Sequence, residues 1–205
     1  MNHNHKENLL LIFTKNPVAG KVKTRLAKDL GDAKALEIYK FLLDHSVNFT
    51  TAVNATKEVH YSDEIAECDI WDNSIFSKKQ QVGRDLGERM EYAFEKGFEA
   101  GYKKIVIIGC DMYDIETLDI ENAFEELQHS DYIIGPAEDG GYYLFGMKSL
   151  HSKVFKNKEW GTSSVLEKTL KNLKNDQVKL LETRNDVDVF EDIKDHPAFQ
   201  KFINS

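Results

Sequence analysis

The chain has 205 residues, 41% of them hydrophobic and 30% charged, with a formal net charge of −8. That length suits a single domain, residues 1–205, with a core covering roughly 70% of the unfolded surface. The acidic balance argues against nucleic acid as a partner, since such binders carry a basic face or stripe. Two cysteines, Cys68 and Cys110, are too few for a disulfide framework and fit a reducing compartment. Without an apolar stretch of ~18 residues no membrane span is expected, and the start Met1-Asn-His-Asn-His-Lys-Glu7 has no signal-peptide pattern. A cytoplasmic protein with a polar, disordered terminus over residues 1–7 is the expectation, and His3 and His5 read as part of that terminus.

Apolar runs alternate with helical periodicity along the whole chain. Leu9–Phe13 reads as a first strand, and it delivers a basic loop, Lys15-Asn-Pro-Val-Ala-Gly-Lys-Val-Lys-Thr-Arg25. Leu36, Tyr39, Leu43 and Val47 share a helical face, predicting a helix over about Ala33–Val53. Val59–Tyr61 and Ile75–Val82 are weaker strand candidates. Leu86, Met90, Ala93, Phe94 and Phe98 mark an amphipathic helix stopped by Gly101. Ile105-Val-Ile-Ile108 is continuous and β-branched, as a strand covered on both faces should be. Ile120–Leu127 reads as helix, and Tyr132–Ile134 and Tyr142–Phe145 read as strands, the latter placed to run antiparallel. Trp160–Leu173 reads as helix, Val178–Leu181 as strand and Phe190–Phe202 as a closing helix. The sum is α/β: a three-layer sandwich with a central mixed, mostly parallel sheet.

Such sheets bind ligands beyond the carboxyl ends of their strands. Behind the first strand stand Lys21, Lys23 and Arg25, at every second residue of a loop that is neither a Walker A nor a G-x-G-x-x-G turn. Behind the central strand comes Gly109-Cys110-Asp111-Met112-Tyr113-Asp114. Behind the next come Glu138-Asp139-Gly140-Gly141, and behind Val178–Leu181 come Asp186 and Asp188. A cationic end facing carboxylate-bearing ends suggests a phosphate clamp opposite a site for Mg²⁺ or Mn²⁺, which prefer hard oxygen ligands. Each piece also has a plainer reading. The loop cations are ordinary solvated charge, and Asp111 is a cap or turn residue. Asp139-Gly140 is a hairpin turn, and Asp186 and Asp188 cap the last helix with Glu191 near N3. Cys110 reads as buried filler and Trp160 as core.

The ordered motifs resemble a known family. They are K-x-P-x-x-G-x-x-K-T-R-L (Lys15 to Leu26), Q-x-G-x-D-L-G-E-R-M (Gln81 to Met90), G-x-D (Gly109 to Asp111), G-P-A-x-D-G-G-Y-Y-L (Gly135 to Leu144), W-x-T (Trp160 to Thr162) and D-V-D-x-x-E-D (Asp186 to Asp192). This set is similar to that of bacterial transferases of the nucleotide-diphospho-sugar transferase superfamily, which have the GT-A fold. More distantly it resembles molybdenum-cofactor and 2-phospho-lactate guanylyltransferases.

The resemblance implies that Lys21, Lys23 and Arg25 hold nucleotide phosphates, with Lys15, Pro17, Gly20 and Thr24 in the loop beside base and ribose. It implies Asp111 as metal ligand and Asp188 as a candidate second one. Asp139 with Gly140 and Gly141 would face the acceptor, Asp139 as candidate base. Tyr113 stands where relatives have Pro, which puts Asp114 in doubt as a ligand; Val189-Phe190 replaces Thr-Pro, which frees Asp188 to cap a helix. The implied activity is metal-dependent transfer from a nucleoside-diphosphate sugar to a small-molecule acceptor. The alternatives are nucleotidyl transfer to a phosphorylated small molecule and non-catalytic nucleotide binding. Base, sugar and acceptor are not encoded legibly, and oligomeric state is open, a homodimer being one option.

Overall fold

The computed structural model describes residues 7–204. The predicted strand Leu9–Phe13 is β1 (Asn8–Thr14), and Leu9, Leu10, Leu11 and Ile12 are all fully buried. Each such side chain contributes about 1.5–3 kcal/mol by leaving water. Burial of consecutive residues requires cover on both faces, and both covers are present. Leu10 and Ile12 pack in one core with Tyr39, Leu43 and Ile120, whereas Leu9 and Leu11 pack in another with Phe94, Phe145 and Phe155. The strand β4 (Lys104–Ile108) divides in the same way, Val106 and Ile108 to the first core and Ile105 and Ile107 to the second.

Between these strands the chain forms α1 (Ala27–Leu30), α2 (Asp32–Thr51), β2 (Thr56–Tyr61), β3 (Phe76–Gln80) and α3 (Leu86–Glu99). After β4 come α4 (Thr117–Glu126), β5 (Tyr132–Pro136), β6 (Tyr142–Met147), α5 (Val165–Asn172), β7 (Val178–Leu180) and α6 (Gln200–Ile203). The seven strands form one sheet in the order β3-β2-β1-β4-β6-β5-β7. β6 runs antiparallel to both β4 and β5, and the remaining pairs are parallel. This is the expected mixed, mostly parallel three-layer sandwich. From β1 the chain crosses outward to β2 and β3, then returns to β4 on the other side. The gap above β1 and β4 is therefore the topological switch point, where such sheets hold ligands. Gly97 lets α3 lie close over that centre: a Cβ there would stand 2.5 Å from Ile105 Cδ1 and 2.8 Å from Leu9 Cδ2.

Two helical expectations are corrected. The Trp160–Leu173 segment becomes helical only at Val165, because Gly161 takes φ +79° and its neighbours form turns. The Phe190–Phe202 segment breaks into short 3₁₀ turns, Phe190–Asp192 and Pro197–Phe199, before α6. Pro197 holds His196 extended (φ −85°, ψ 123°) and cannot itself donate a helical bond. Asp192, not Asp186 or Asp188, does the capping: its carboxylate accepts from Asp188 N at 2.8 Å and Val189 N at 2.7 Å.

Of the terminus expected to be disordered, residues 1–6 lie outside the described residues, His3 and His5 among them. Glu7 is described, and its carbonyl accepts from Lys103 N at 2.8 Å and Lys104 N at 3.1 Å. Among the described residues, no helix is long and apolar enough to cross a membrane.

Candidate active site

Three chain segments expected to share a groove do meet. The amide of Val187 donates to the Asp111 carbonyl at 3.0 Å, stitching the 186–188 segment to the end of β4. The loop after β1 closes over both: Lys23 Nζ bonds the Asp111 carboxylate, and Arg25 Nη1 donates to Asp188 Oδ2 at 2.6 Å. The three cations do not share one face, as alternate residues of an extended segment would. The loop coils through turns, so Val22 and Lys23 are buried while Lys21 and Arg25 are exposed. Lys23 adopts φ +47°, a left-handed conformation uncommon for a side-chain-bearing residue. Its side chain is only 5% exposed, whereas that of Asp111 is 48% exposed. One side of the Asp111 carboxylate thus rests on a buried ammonium, and the other opens outward.

It opens into two confluent cavities. One, of about 420 Å³, is lined by Thr14, Lys15, Tyr39, Ser62, Gln81 and Arg89 over a floor of Phe13, Met90, Ile107 and Ile108. The other, of about 280 Å³, is lined by Asp139, Gly141, Tyr142, Trp160, Thr162 and Asp186. Leu86, Gly109, Asp111, Tyr142 and Tyr143 belong to both. Asp111 therefore stands at the joint of a groove with a donor-rich end and an acidic end.

The electrostatics of the two ends differ. Partial burial would raise the Asp111 carboxyl, but the charge and hydrogen bond of Lys23, with the charge of Lys15, hold it below the usual carboxylate range. Among the described residues no cation is paired with Asp186, and Lys23 supplies the only charge that pulls its carboxyl down. Burial, then repulsion from Asp139 and Asp111, pushes its carboxyl up to about 6. Asp139 sits in a tight turn in which its Oδ1 accepts from Gly141 N at 2.7 Å. Gly140 takes φ +87° there and packs so closely that a Cβ would lie 2.6 Å from Ser163 Cα. The carbonyl of Gly140 accepts from Leu166 N at 2.9 Å, which ties this turn to the start of α5.

Of the residues singled out in the sequence, Lys15, Asp111, Asp139 and Gly141 line the groove, and Gly140 supports it from behind. Pro17, Gly20, Lys21 and Thr24 are exposed on the loop after β1 and line neither cavity. Asp188 is held by Arg25 and Asp186 takes the place on the groove wall. Asp114 lines neither cavity, and its carbonyl is bonded by Arg184, which also reaches Asp119 at 2.8 Å. Gln81 and Arg89 were legible only as part of a motif, yet both line the larger cavity. Trp160 is both packing and lining: it meets Tyr142 edge-on at 6.4 Å.

The donor set suits a hard divalent cation. Asp111 opens to the groove, Asp186 and Asp139 line the same space, and Mg²⁺ takes one or two carboxylates with phosphate and water oxygens. Among the described residues no three His, Cys, Asp or Glu side chains form a ready metal cage.

A seven-stranded mixed sheet with its cleft over the ends of β1 and β4 is the α/β fold of the nucleotide-diphospho-sugar transferase superfamily. The chain belongs to the family described as uncharacterized proteins conserved in bacteria (DUF2064), whose model matches residues 41–162. It is 32% identical to a protein of known crystal structure from Desulfovibrio desulfuricans G20, provisionally named a nucleotide-diphospho-sugar transferase. That match has a TM-score of 0.84 and covers 95% of this chain and 90% of the other. In fold alone the chain is also similar to a 4-diphosphocytidyl-2C-methyl-D-erythritol synthase from Anaerococcus prevotii DSM 20548, at 9% identity and TM-score 0.60, covering 96% of this chain and 97% of that one. The same holds for a cytidylyltransferase from Leptospira borgpetersenii serovar Hardjo-bovis, at 12% identity and TM-score 0.56, covering 92% and 84%. No curated protein matches the chain.

Proposed function

We infer that the groove binds a nucleoside-diphosphate sugar and transfers its sugar to an acceptor hydroxyl. The observation that carries this reading is the position of Asp111 on the wall shared by the two cavities, anchored on a buried cation and open to both. The nucleoside occupies the larger cavity, beside Lys15 and the loop residues Pro17, Gly20 and Thr24. The diphosphate crosses Asp111 under the exposed cations Lys21 and Arg25, and the sugar and acceptor occupy the acidic end. A divalent cation bound by Asp111 and Asp186 would supply positive charge against the departing diphosphate.

The chain's own groups carry the remaining steps. Lys23 fixes the Asp111 carboxylate from below, and Asp188 orients the guanidinium of Arg25. Asp139, with Oδ1 committed to Gly141 N, has Oδ2 left to accept the acceptor's hydroxyl proton. As the acceptor's hydroxyl oxygen bonds to the anomeric carbon, the bond from that carbon to the diphosphate oxygen breaks, and its electron pair leaves with the diphosphate. Tyr142, Trp160 and Leu86 give this end apolar walls that limit water.

Product analysis tests the reading. Incubated with nucleotide sugars and Mn²⁺, the protein should release nucleoside diphosphate, with water as a slow acceptor. Pyrophosphate released from a triphosphate and a sugar phosphate would instead assign nucleotidyl transfer. Nucleotide binding without any turnover would assign a sensor.

A further inference from the structure

Along one wall of the larger cavity the Thr14 and Lys15 carbonyls and the Gln81 side-chain oxygen are already engaged. The Thr14 carbonyl accepts from Ser62 N at 3.0 Å and from Gln81 Nε2 at 3.2 Å. The Lys15 carbonyl accepts from the Tyr39 hydroxyl at 3.1 Å and the Thr14 hydroxyl at 3.3 Å. Gln81 spends its second Nε2 hydrogen on the His60 carbonyl at 2.9 Å, and its own Oε1 accepts from Arg89 Nη1 at 3.2 Å. The Gly83 carbonyl accepts from Arg89 Nε at 3.1 Å, and the Ser62 hydroxyl is turned toward Asp63 at 2.7 Å. Beside them Arg89 keeps free donors. Arg89 has five N–H groups, of which these bonds use two, and its Nη2 makes no protein hydrogen bond among the described residues. Arg89 lines the cavity, with its guanidinium held by Gly83 and Gln81.

Free N–H groups held in place favour a ligand edge made of acceptors. On the nucleotide reading of this groove, on which the inference rests, the geometry points to Arg89 as a specificity-determining residue that selects keto nucleobases, guanine or uracil, over the amino bases cytosine and adenine. Guanine presents O6 and N7, the pair that a guanidinium fork grips with two bonds, and uracil presents O4. With the same edge turned to Arg89, cytosine and adenine would set an exocyclic amine against N–H groups where guanine and uracil set an oxygen. Gln81 acts as a positioning residue: it ties β1, β2 and Arg89 into one rigid edge.

The experiment is a calorimetric titration of GDP, UDP, CDP and ADP, each with Mn²⁺, into the wild-type protein, Arg89→Gln and Arg89→Lys. A keto-reading Arg89 predicts at least one of GDP and UDP binding roughly 10–100-fold more tightly than CDP and ADP. It predicts that preference collapsing in both variants through loss of the keto ligand alone. Arg89→Lys keeps the charge, so a fork that merely attracts phosphate would leave the order of the four ligands unchanged and overturn the proposal. Equal binding of all four by the wild type also overturns it while leaving the nucleotide site standing. Binding of none overturns both. Should Arg89→Gln unfold, the wild-type order and Arg89→Lys still decide.

Discussion

The ammonium of Lys23 lies buried beneath the carboxylate of Asp111, 88 residues away in sequence, and holds it facing the groove. A buried charge with one partner is costly to orphan. Asp111→Ala should therefore destabilise the protein by roughly 1–3 kcal/mol, lowering Tm by about 2–10 °C. Lys23→Met should restore part of that loss in the double variant, with a coupling of about 1–2 kcal/mol. Chemical denaturation of the four proteins in the cycle measures it; strict additivity would show that the pair does not interact.

Asp139 separates structure from chemistry. Asp139→Asn retains an oxygen to accept from Gly141 N, so the turn and Tm should be unchanged. Turnover at saturating donor should fall about 100-fold or more if this carboxylate takes the acceptor proton. Unchanged turnover would remove Asp139 from the mechanism.

Gly140 and Gly161 both have positive φ, but only Gly140 is crowded. Gly140→Ala must push the turn away from Ser163 and should cost about 1–3 kcal/mol together with most activity. Gly161→Ala meets open space and should cost only backbone strain, about 1 kcal/mol. Thermal midpoints of the two variants check the ranking.

Much of the fold is legible in the sequence. Four consecutive apolar residues in Leu9–Ile12 and in Ile105–Ile108 require two-sided cover, and that alone defines the layers. The carboxyl ends of those strands then locate the groove, so Asp111 and Asp139 could be chosen from position. Lys23 could not be placed, because spacing by two implies one shared face only in extended chain, and a left-handed residue turned this one inward. Asp186 and Asp188 look equivalent in sequence, and contact with Arg25 is what separates them. The role of Arg89 depends on carbonyls from β1, β2 and the Gly83 turn, which no local pattern reveals.

The two cysteines should behave oppositely. Cys110 is 2% exposed, and burial, with the charge of Asp111, pushes its thiol up to about 12. Cys68 is exposed. Iodoacetamide should label the native protein once, at Cys68, and the urea-unfolded protein twice. Native labelling at Cys110 would mean that the floor of the groove opens.

On the proposed function, a nucleotide is held across Asp111 with the help of a divalent cation. Thermal shifts with nucleoside diphosphates and nucleotide sugars, with and without Mn²⁺, on wild type and Asp111→Asn, test it most directly. A ligand at 100 times its Kd should add about 2.7 kcal/mol, on the order of 5–10 °C, only with the cation and only in the wild type. Stabilisation by no nucleotide, or equal stabilisation of Asp111→Asn, would contradict it.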